Sequence, residues 1–160
     1  MKKYYLAYGS NLNLEHMAHN CPFAKPIGKV MIEGYRLAYK GADDGVSYLT
    51  IEKDSNSSVP MGLFQVTILD ICYLDMYEGY PTLYKKEYLD VIFKGHNKKA
   101  LVYIMNKDFD YHIPSDNYVF KCEEGYRDFK FDIEYLNEAY RYTVEHVKQK
   151  QLIKEKKDFK

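Results

Sequence analysis

A short apolar run, Tyr4-Tyr5-Leu6-Ala7, gives way at once to Tyr8-Gly9-Ser10-Asn11 and then to an amphipathic segment, Leu12 to Asn20. No other stretch restricts the fold as much. An apolar run this short, ending in a Gly-Ser-Asn turn signal, reads as a buried strand that stops in a loop. Leu14, Met17 and Ala18 fall at i, i+3 and i+4, which predicts a short helix. Strand, glycine turn and helix in that order leave several backbone N–H groups facing one small space. Such nests hold carbonyl or anionic oxygens. Gly9 lets a ligand approach the main chain closely, and Ser10 and Asn11 add a hydroxyl and an amide. The same residues also suit a plainer purpose, in which Ser10, Asn11 or Asn13 caps the helix.

Lys29 to Tyr39 alternates loosely and reads as a long strand with a bend at Gly34. Tyr48–Ile51 and Val59–Val66 read as two further strands, with Asp54–Ser58 as a polar loop between them. From Thr67 to Tyr77 the spacing turns helical, placing Ile68, Ile71, Cys72 and Met76 near one face before Gly79 stops it. Cys72, on an apolar face, is expected in the core. Tyr84–Phe93 and Ala100–Met105 form two strands around the turn Lys94–Lys98. Pro114-Ser115-Asp116 opens a short helical segment to Cys122. Ile133–Val147 is the clearest helix, with Leu136, Ala139, Tyr140, Thr143 and Val147 on one face. Strands in runs with few helices predict one α+β domain, residues 1–147, built on a curled mixed sheet of about six strands. A closed or nearly closed barrel would cover the edges of so many strands. Lys148 to Lys160 carries six Lys and is expected to be a polar, solvated C-terminal tail.

The 160 residues fit a single domain, and 23 basic residues balance 23 acidic ones. That balance argues against duplex DNA or an anionic membrane as partner. Cys21, Cys72 and Cys122 are an odd number without C-x-x-C spacing, which argues against a disulfide framework or a zinc site and fits a reducing compartment. The apolar run after Met1-Lys2-Lys3 is too short for a signal sequence, and no window is apolar enough to span a membrane, so a cytoplasmic location is expected. With 18 Tyr and no Trp, some rings are expected to line a pocket with their hydroxyls facing inward. His16 and His19 stand three apart without a third ligand and read as surface histidines. Ser10 is not framed as G-x-S-x-G, and no phosphate loop or dinucleotide fingerprint occurs.

The second informative stretch is Leu74-Asp75-Met76-Tyr77-Glu78-Gly79-Tyr80-Pro81, followed by Leu83-Tyr84. Glu78 stands at a helix end, where the macrodipole is negative, among Tyr77, Tyr80, Tyr84 and Pro81. Both the dipole and aromatic burial raise a carboxyl pKa, as a general acid/base near neutrality requires. An exposed Glu that merely follows Tyr77 would have the same sequence.

Taken with Pro114-Ser115-Asp116-Asn117-Tyr118 and Gly125-Tyr126-Arg127-Asp128-Phe129, these stretches resemble the γ-glutamylcyclotransferase-like family over residues 4 to about 140. The resemblance implies a mixed barrel flanked by helices, with the Tyr8–Asn11 loop facing Glu78 across a cavity. It implies cyclisation of a γ-glutamyl group to 5-oxoproline with release of an amino acid or amine, a transferase or lyase chemistry without cofactor or metal. Glu78 corresponds to the family's acid/base. Ala7, Tyr8, Gly9, Ser10, Asn11 and Leu12 correspond to its substrate loop, and Tyr84 and Tyr118 to residues lining the site. The implied partner is a small γ-glutamyl molecule, with no nucleic acid or membrane, and the protein a monomer or homodimer. Lys85-Lys86 depart from the family, many bacterial members carrying Arg after the tyrosine. Open alternatives are a cyclotransferase for γ-glutamylamines or a specialised metabolite, and a non-catalytic small-ligand module.

Overall fold

The computed structural model describes residues 2–159. Met1 and Lys160, the outer ends of the expected domain and tail, lie outside them. The strands are β1 (Lys3–Ala7), β2 (Lys25–Asp43), β3 (Val46–Val66), β4 (Tyr84–Phe93), β5 (His96–Met105) and β6 (Asp110–Tyr111). The helices are α1 (Leu14–Asn20), α2 (Ile68–Tyr77), α3 (Asp116–Asp128) and α4 (Glu134–Asp158), with a 3-10 turn at Ser10–Leu12.

The strands form one sheet in the order β4-β5-β1-β3-β2-β6. β1, the apolar run of the N-terminus, lies inside it, antiparallel to β3 with Ala7 opposite Gly62 and parallel to β5 with Tyr5 opposite Leu101. Leu6 and Ala7 are both buried, so protein covers both faces of this strand, which explains why two apolar residues follow in succession. The sheet curls into a half-barrel: β4 hydrogen-bonds only β5, yet its end reaches the start of β2. There a Cβ built on Gly28 would stand 2.4 Å from the Phe93 ring. The core inside the curl includes Leu6, Tyr39, Leu63, Phe64 and Leu101, closed by Tyr126 of α3 and Leu136 of α4.

Three local readings change. The expected loop Asp54–Ser58 lies within the continuous strand β3, where Glu33 pairs with Ser58 and Tyr35 with Lys53. Asp54 to Ser57 therefore bulge out opposite Gly34, whose φ of 85° suits the bend. Asp54 holds the bulge by accepting from the Asn56 N–H (3.0 Å) and the Ser57 hydroxyl (2.8 Å). The segment after Val147 continues as helix to Asp158, exposed from Lys148 onward.

The third change concerns α2. It starts in a capping box: the Asp70 N–H donates to Thr67 Oγ1 (3.2 Å) and the Thr67 N–H to Asp70 Oδ2 (2.9 Å). Asp70 and Leu74 are the buried residues of this helix. Cys72, expected in the core, is exposed, as are Ile68 and Met76. Helical spacing groups those residues on one face, but the buried capping carboxylate turns the neighbouring face inward.

α3 braces the Tyr8–Asn13 segment from behind. Tyr126 Oη donates to the Tyr8 carbonyl (3.2 Å), Asn13 Nδ2 to Glu124 (3.1 Å) and the Leu14 N–H to Asp128 (2.9 Å). Gly125 lets the two backbones touch: a Cβ there would lie 2.6 Å from the Asn13 nitrogen. Backbone cannot swing aside as a side chain can. Gly125→Ala is expected to lower stability by about 1–3 kcal/mol, as overpacking does, and to displace the loop. Chemical denaturation measures the first effect; unchanged stability would show that α3 tolerates a wider gap.

Candidate active site

β1 ends at Ala7 and the chain turns sharply through Gly9 into the 3-10 turn. The Leu12 N–H donates to the Gly9 carbonyl (3.0 Å) and the Asn13 N–H to the Ser10 carbonyl (3.1 Å). Asn13 then caps α1, its Oδ1 accepting from the His16 N–H (3.1 Å). Ser10 and Asn11 are thus not helix caps; their side chains face a cavity. Among the described residues, the backbone N–H groups of Gly9, Ser10 and Asn11 meet no protein acceptor. Buried N–H groups are seldom left so.

The cavity measures about 280 Å³. Its walls come from β1 and the loop, from β3 (Tyr48, Leu49), from the end of α2 (Tyr77, Glu78), from β4 and β5 (Tyr84, Tyr103), and from α3 (Tyr118). Seven of the 18 Tyr line it, and no Lys, Arg or His does so among the described residues. The rings are tethered. Tyr8 Oη donates to the Tyr103 carbonyl (2.6 Å), Tyr84 Oη donates to the Leu49 carbonyl (2.6 Å), and Tyr118 Oη accepts from the Leu49 N–H (3.0 Å). Burial first, and the Glu78 carboxyl second, push the Tyr5 and Tyr8 hydroxyls up, so both stay protonated donors.

Glu78 forms the C-terminal cap of α2 and stands against the loop. Asn11 spans the gap: its Nδ2 donates to Glu78 Oε1 (3.1 Å) and to Tyr5 Oη (2.9 Å). A second link runs parallel to it, Ser10 Oγ to Tyr77 Oη at 3.0 Å. Burial pushes the Glu78 carboxyl up to about 8; the Asn11 bond pulls the other way and is the weaker effect. Glu78 keeps some contact with solvent through the cavity, so the burial that matters is that of its carboxyl among protein atoms.

Of the residues singled out in the sequence, Tyr8, Gly9, Ser10, Asn11, Glu78, Tyr84 and Tyr118 meet on this cavity. Ala7 and Leu12 are buried behind its wall. Tyr80, expected beside Glu78, points outward with its ring against the Lys86 ammonium (4.4 Å). Lys86 itself pairs with Asp75 (2.8 Å), which also accepts from Tyr103 Oη (2.6 Å). Tyr77, expected beside Glu78, lines the cavity with it, whereas Tyr5, Tyr48, Leu49 and Tyr103 were missed. Tyr5 and Tyr103 meet only because β1 lies beside β5, a pairing no local pattern announces. His16 is half-buried against the Tyr77 ring, centroids 4.9 Å apart, and burial lowers its pKa to about 4. No group of side chains able to hold a metal ion occurs among the described residues.

A family model for gamma-glutamyl cyclotransferase, AIG2-like proteins matches residues 5–120. The chain belongs to this family. No curated protein is significantly similar to it in sequence. A solved gamma-glutamyl cyclotransferase superposes with a TM-score of 0.73 at 19% identity, over 87% of this chain and 86% of that one. An uncharacterised protein from Homo sapiens gives 0.75 at 20% identity, with 86% of each chain covered. YkqA from Bacillus subtilis gives 0.70 at 20% identity over 89% of this chain, which spans 54% of YkqA. These likenesses share the cyclotransferase half-barrel. No helix of the described residues is long and apolar enough to cross a membrane.

Proposed function

We propose that the protein is a γ-glutamyl cyclotransferase that closes a γ-glutamyl group to 5-oxoproline and releases the attached amine. The observation that carries this reading is a carboxyl held near pKa 8 across a small cavity from three unpaired backbone N–H groups. An α-ammonium loses its proton at about pH 8 at a chain terminus, and somewhat higher beside the free α-carboxylate of a γ-glutamyl group. A carboxylate at its ordinary value of 4.5 would be too weak a base to take it; at about 8 the gap between the two is small. The substrate's ammonium, once bound, also stabilises the Glu78 anion that must receive the proton.

In the proposed reaction Glu78 removes a proton from the α-ammonium, and the freed nitrogen attacks the γ-carbonyl carbon. A carbon–nitrogen bond forms and closes a five-membered ring. The N–H groups of Gly9–Asn11 receive the oxyanion, each such donor being worth about 3 kcal/mol. Protonated Glu78 then gives its proton to the leaving nitrogen as the original amide bond breaks, and the regenerated carboxylate takes the second proton from the ring nitrogen and passes it to the departing amine, which leaves as its ammonium. Nucleophile and electrophile belong to one molecule, so holding it bent supplies much of the acceleration. The chemistry needs no cofactor.

The lining also bears on the leaving group. Among the described residues no cation lines the cavity, so the carboxylate of a departing amino acid meets no side-chain counter-charge there. A leaving amine without a carboxylate fits better. A panel of γ-glutamyl compounds, read by 5-oxoproline release, tests both statements. γ-Glutamylamines are expected to give a higher kcat/KM than γ-glutamyl-α-amino acids. The reverse order would reject the leaving-group assignment, and no 5-oxoproline from any member would reject the activity.

A further inference from the structure

We propose that the side-chain amide of Asn11 turns over as Glu78 gains and loses its proton, and that Tyr5 is the positioning residue that lets Asn11 hold Glu78 in both states. The use of the two states rests on the reaction proposed above, in which Glu78 is first base and then acid. Asn11 is 3% exposed. Its Nδ2 gives one hydrogen to Glu78 Oε1 (3.1 Å) and the other to Tyr5 Oη (2.9 Å). Its Oδ1 is buried and meets no donor among the described residues, a rare condition for an amide oxygen. Nothing at the oxygen end fixes which way round the amide lies. Oxygen and nitrogen are nearly the same size, and the two lone pairs of the one point much as the two hydrogens of the other do. A half-turn therefore sets Oδ1 against the same two partners without disturbing the packing.

The two partners differ in what they offer. Among the described residues the Tyr5 hydroxyl bonds only to Asn11. Burial pushes this hydroxyl up, so it keeps its hydrogen and can either accept from Nδ2 or donate to Oδ1. Ionised Glu78 only accepts, so it demands the nitrogen. Protonated Glu78 carries a hydrogen of its own. With the nitrogen inward, that hydrogen, the Tyr5 hydrogen and Asn11 Oδ1 all lack a protein partner. With the oxygen inward, both hydrogens converge on Oδ1, and the amide NH2 alone is unpaired. Unpaired buried polar groups are costly, so the proton decides the orientation. The nitrogen-inward arrangement of the structure is the one that suits the carboxylate.

Glu78, held at about 8, is the group here that titrates near neutrality. Burial pushes up the hydroxyls of Tyr8, Tyr77, Tyr84, Tyr103 and Tyr118 around it, and the Cys21 thiol to about 12. Tyr48 is the remaining phenol on the wall, and no cation lines the cavity among the described residues. His16, behind the Tyr77 ring, is lowered to about 4 by burial. A change of the Asn11 amide near pH 8 therefore reports the Glu78 proton.

Neutron diffraction from crystals of the unliganded full chain locates the amide deuterons. At about pH 10 they are expected to face Glu78 and Tyr5; at about pH 6, below the Glu78 transition, Oδ1 should face both. One orientation at both pH values would overturn the proposal. Tyr5→Phe keeps the ring and removes the hydroxyl. The ionised state then loses an acceptor for Nδ2, whereas in the protonated state Oδ1 still receives the Glu78 hydrogen. The Glu78 pKa is therefore expected to rise by roughly half a unit to one unit. Carboxyl-carbon NMR of the unliganded protein measures it, with Glu78→Gln to assign the resonance. An unchanged value would overturn the role given to Tyr5. The acid limb of kcat/KM should move up by the same amount, whereas a merely structural loss would lower activity evenly at every pH. Absence of 5-oxoproline release from the parent would reject the reaction instead, and the two measurements on unliganded protein would still decide whether the amide turns over.

Discussion

Replacing Glu78 by Gln is expected to lower turnover of a γ-glutamyl substrate at least about a hundredfold, the usual contribution of a general acid/base. Gln keeps the volume of Glu and can still accept from Asn11, whose Nδ2 lies 3.1 Å from Glu78 Oε1. It cannot take the ammonium proton. Substrate binding should largely survive, because the loop N–H groups and the tethered tyrosines remain, so the loss falls on kcat more than on KM. Glu78→Asp keeps the acid but withdraws it by one methylene, and an intermediate loss is expected from misplacement alone. A folded Gln variant that releases 5-oxoproline at the parental rate would remove Glu78 from the mechanism.

The same substitution is expected to stabilise the protein at alkaline pH. The folded state raises the Glu78 pKa from 4.5 to about 8, so the native protein holds this proton more tightly than the unfolded chain does. The stability this confers is fully present below pH 4.5 and is lost as pH rises through about 8. A shift of this size corresponds to about 5 kcal/mol; partial access of solvent to the cavity reduces it, leaving a few kcal/mol. Gln carries no titrating proton. The Glu78→Gln variant should therefore melt at a higher temperature than the parent at pH 9, with the gap closing towards pH 5. Parallel melting curves for the two proteins across that range would show that the carboxyl is not buried as described. The two experiments together would mark a site in which stability is given up for a matched proton acceptor.

Much of this arrangement was legible in the chain itself. The short apolar run, the Gly-Ser-Asn turn and the helix after it are local features, and local propensity decides them. Glu78 could be placed at a helix end because Gly79 follows it. The family signatures placed the loop and Glu78 on one cavity, and the fold places them there. The six strands were also countable, although two of the expected strands are one, β3, and the short β6 went unread.

What tertiary structure alone decided depends on residues far apart in sequence. Tyr103 reaches the cavity because β5 lies parallel to β1, and Tyr48 because β3 curls past the loop. Periodicity reports which residues share a face, not which face turns inward. In α2 the pattern favoured Ile68, Cys72 and Met76, but the buried Asp70 carboxylate, bonded to Thr67 and Phe23, fixes the helix with that face in solvent. The raised Glu78 pKa has the same origin. Sequence could suggest aromatic neighbours, but desolvation is set by everything packed around the carboxyl, and only the closed fold determines that.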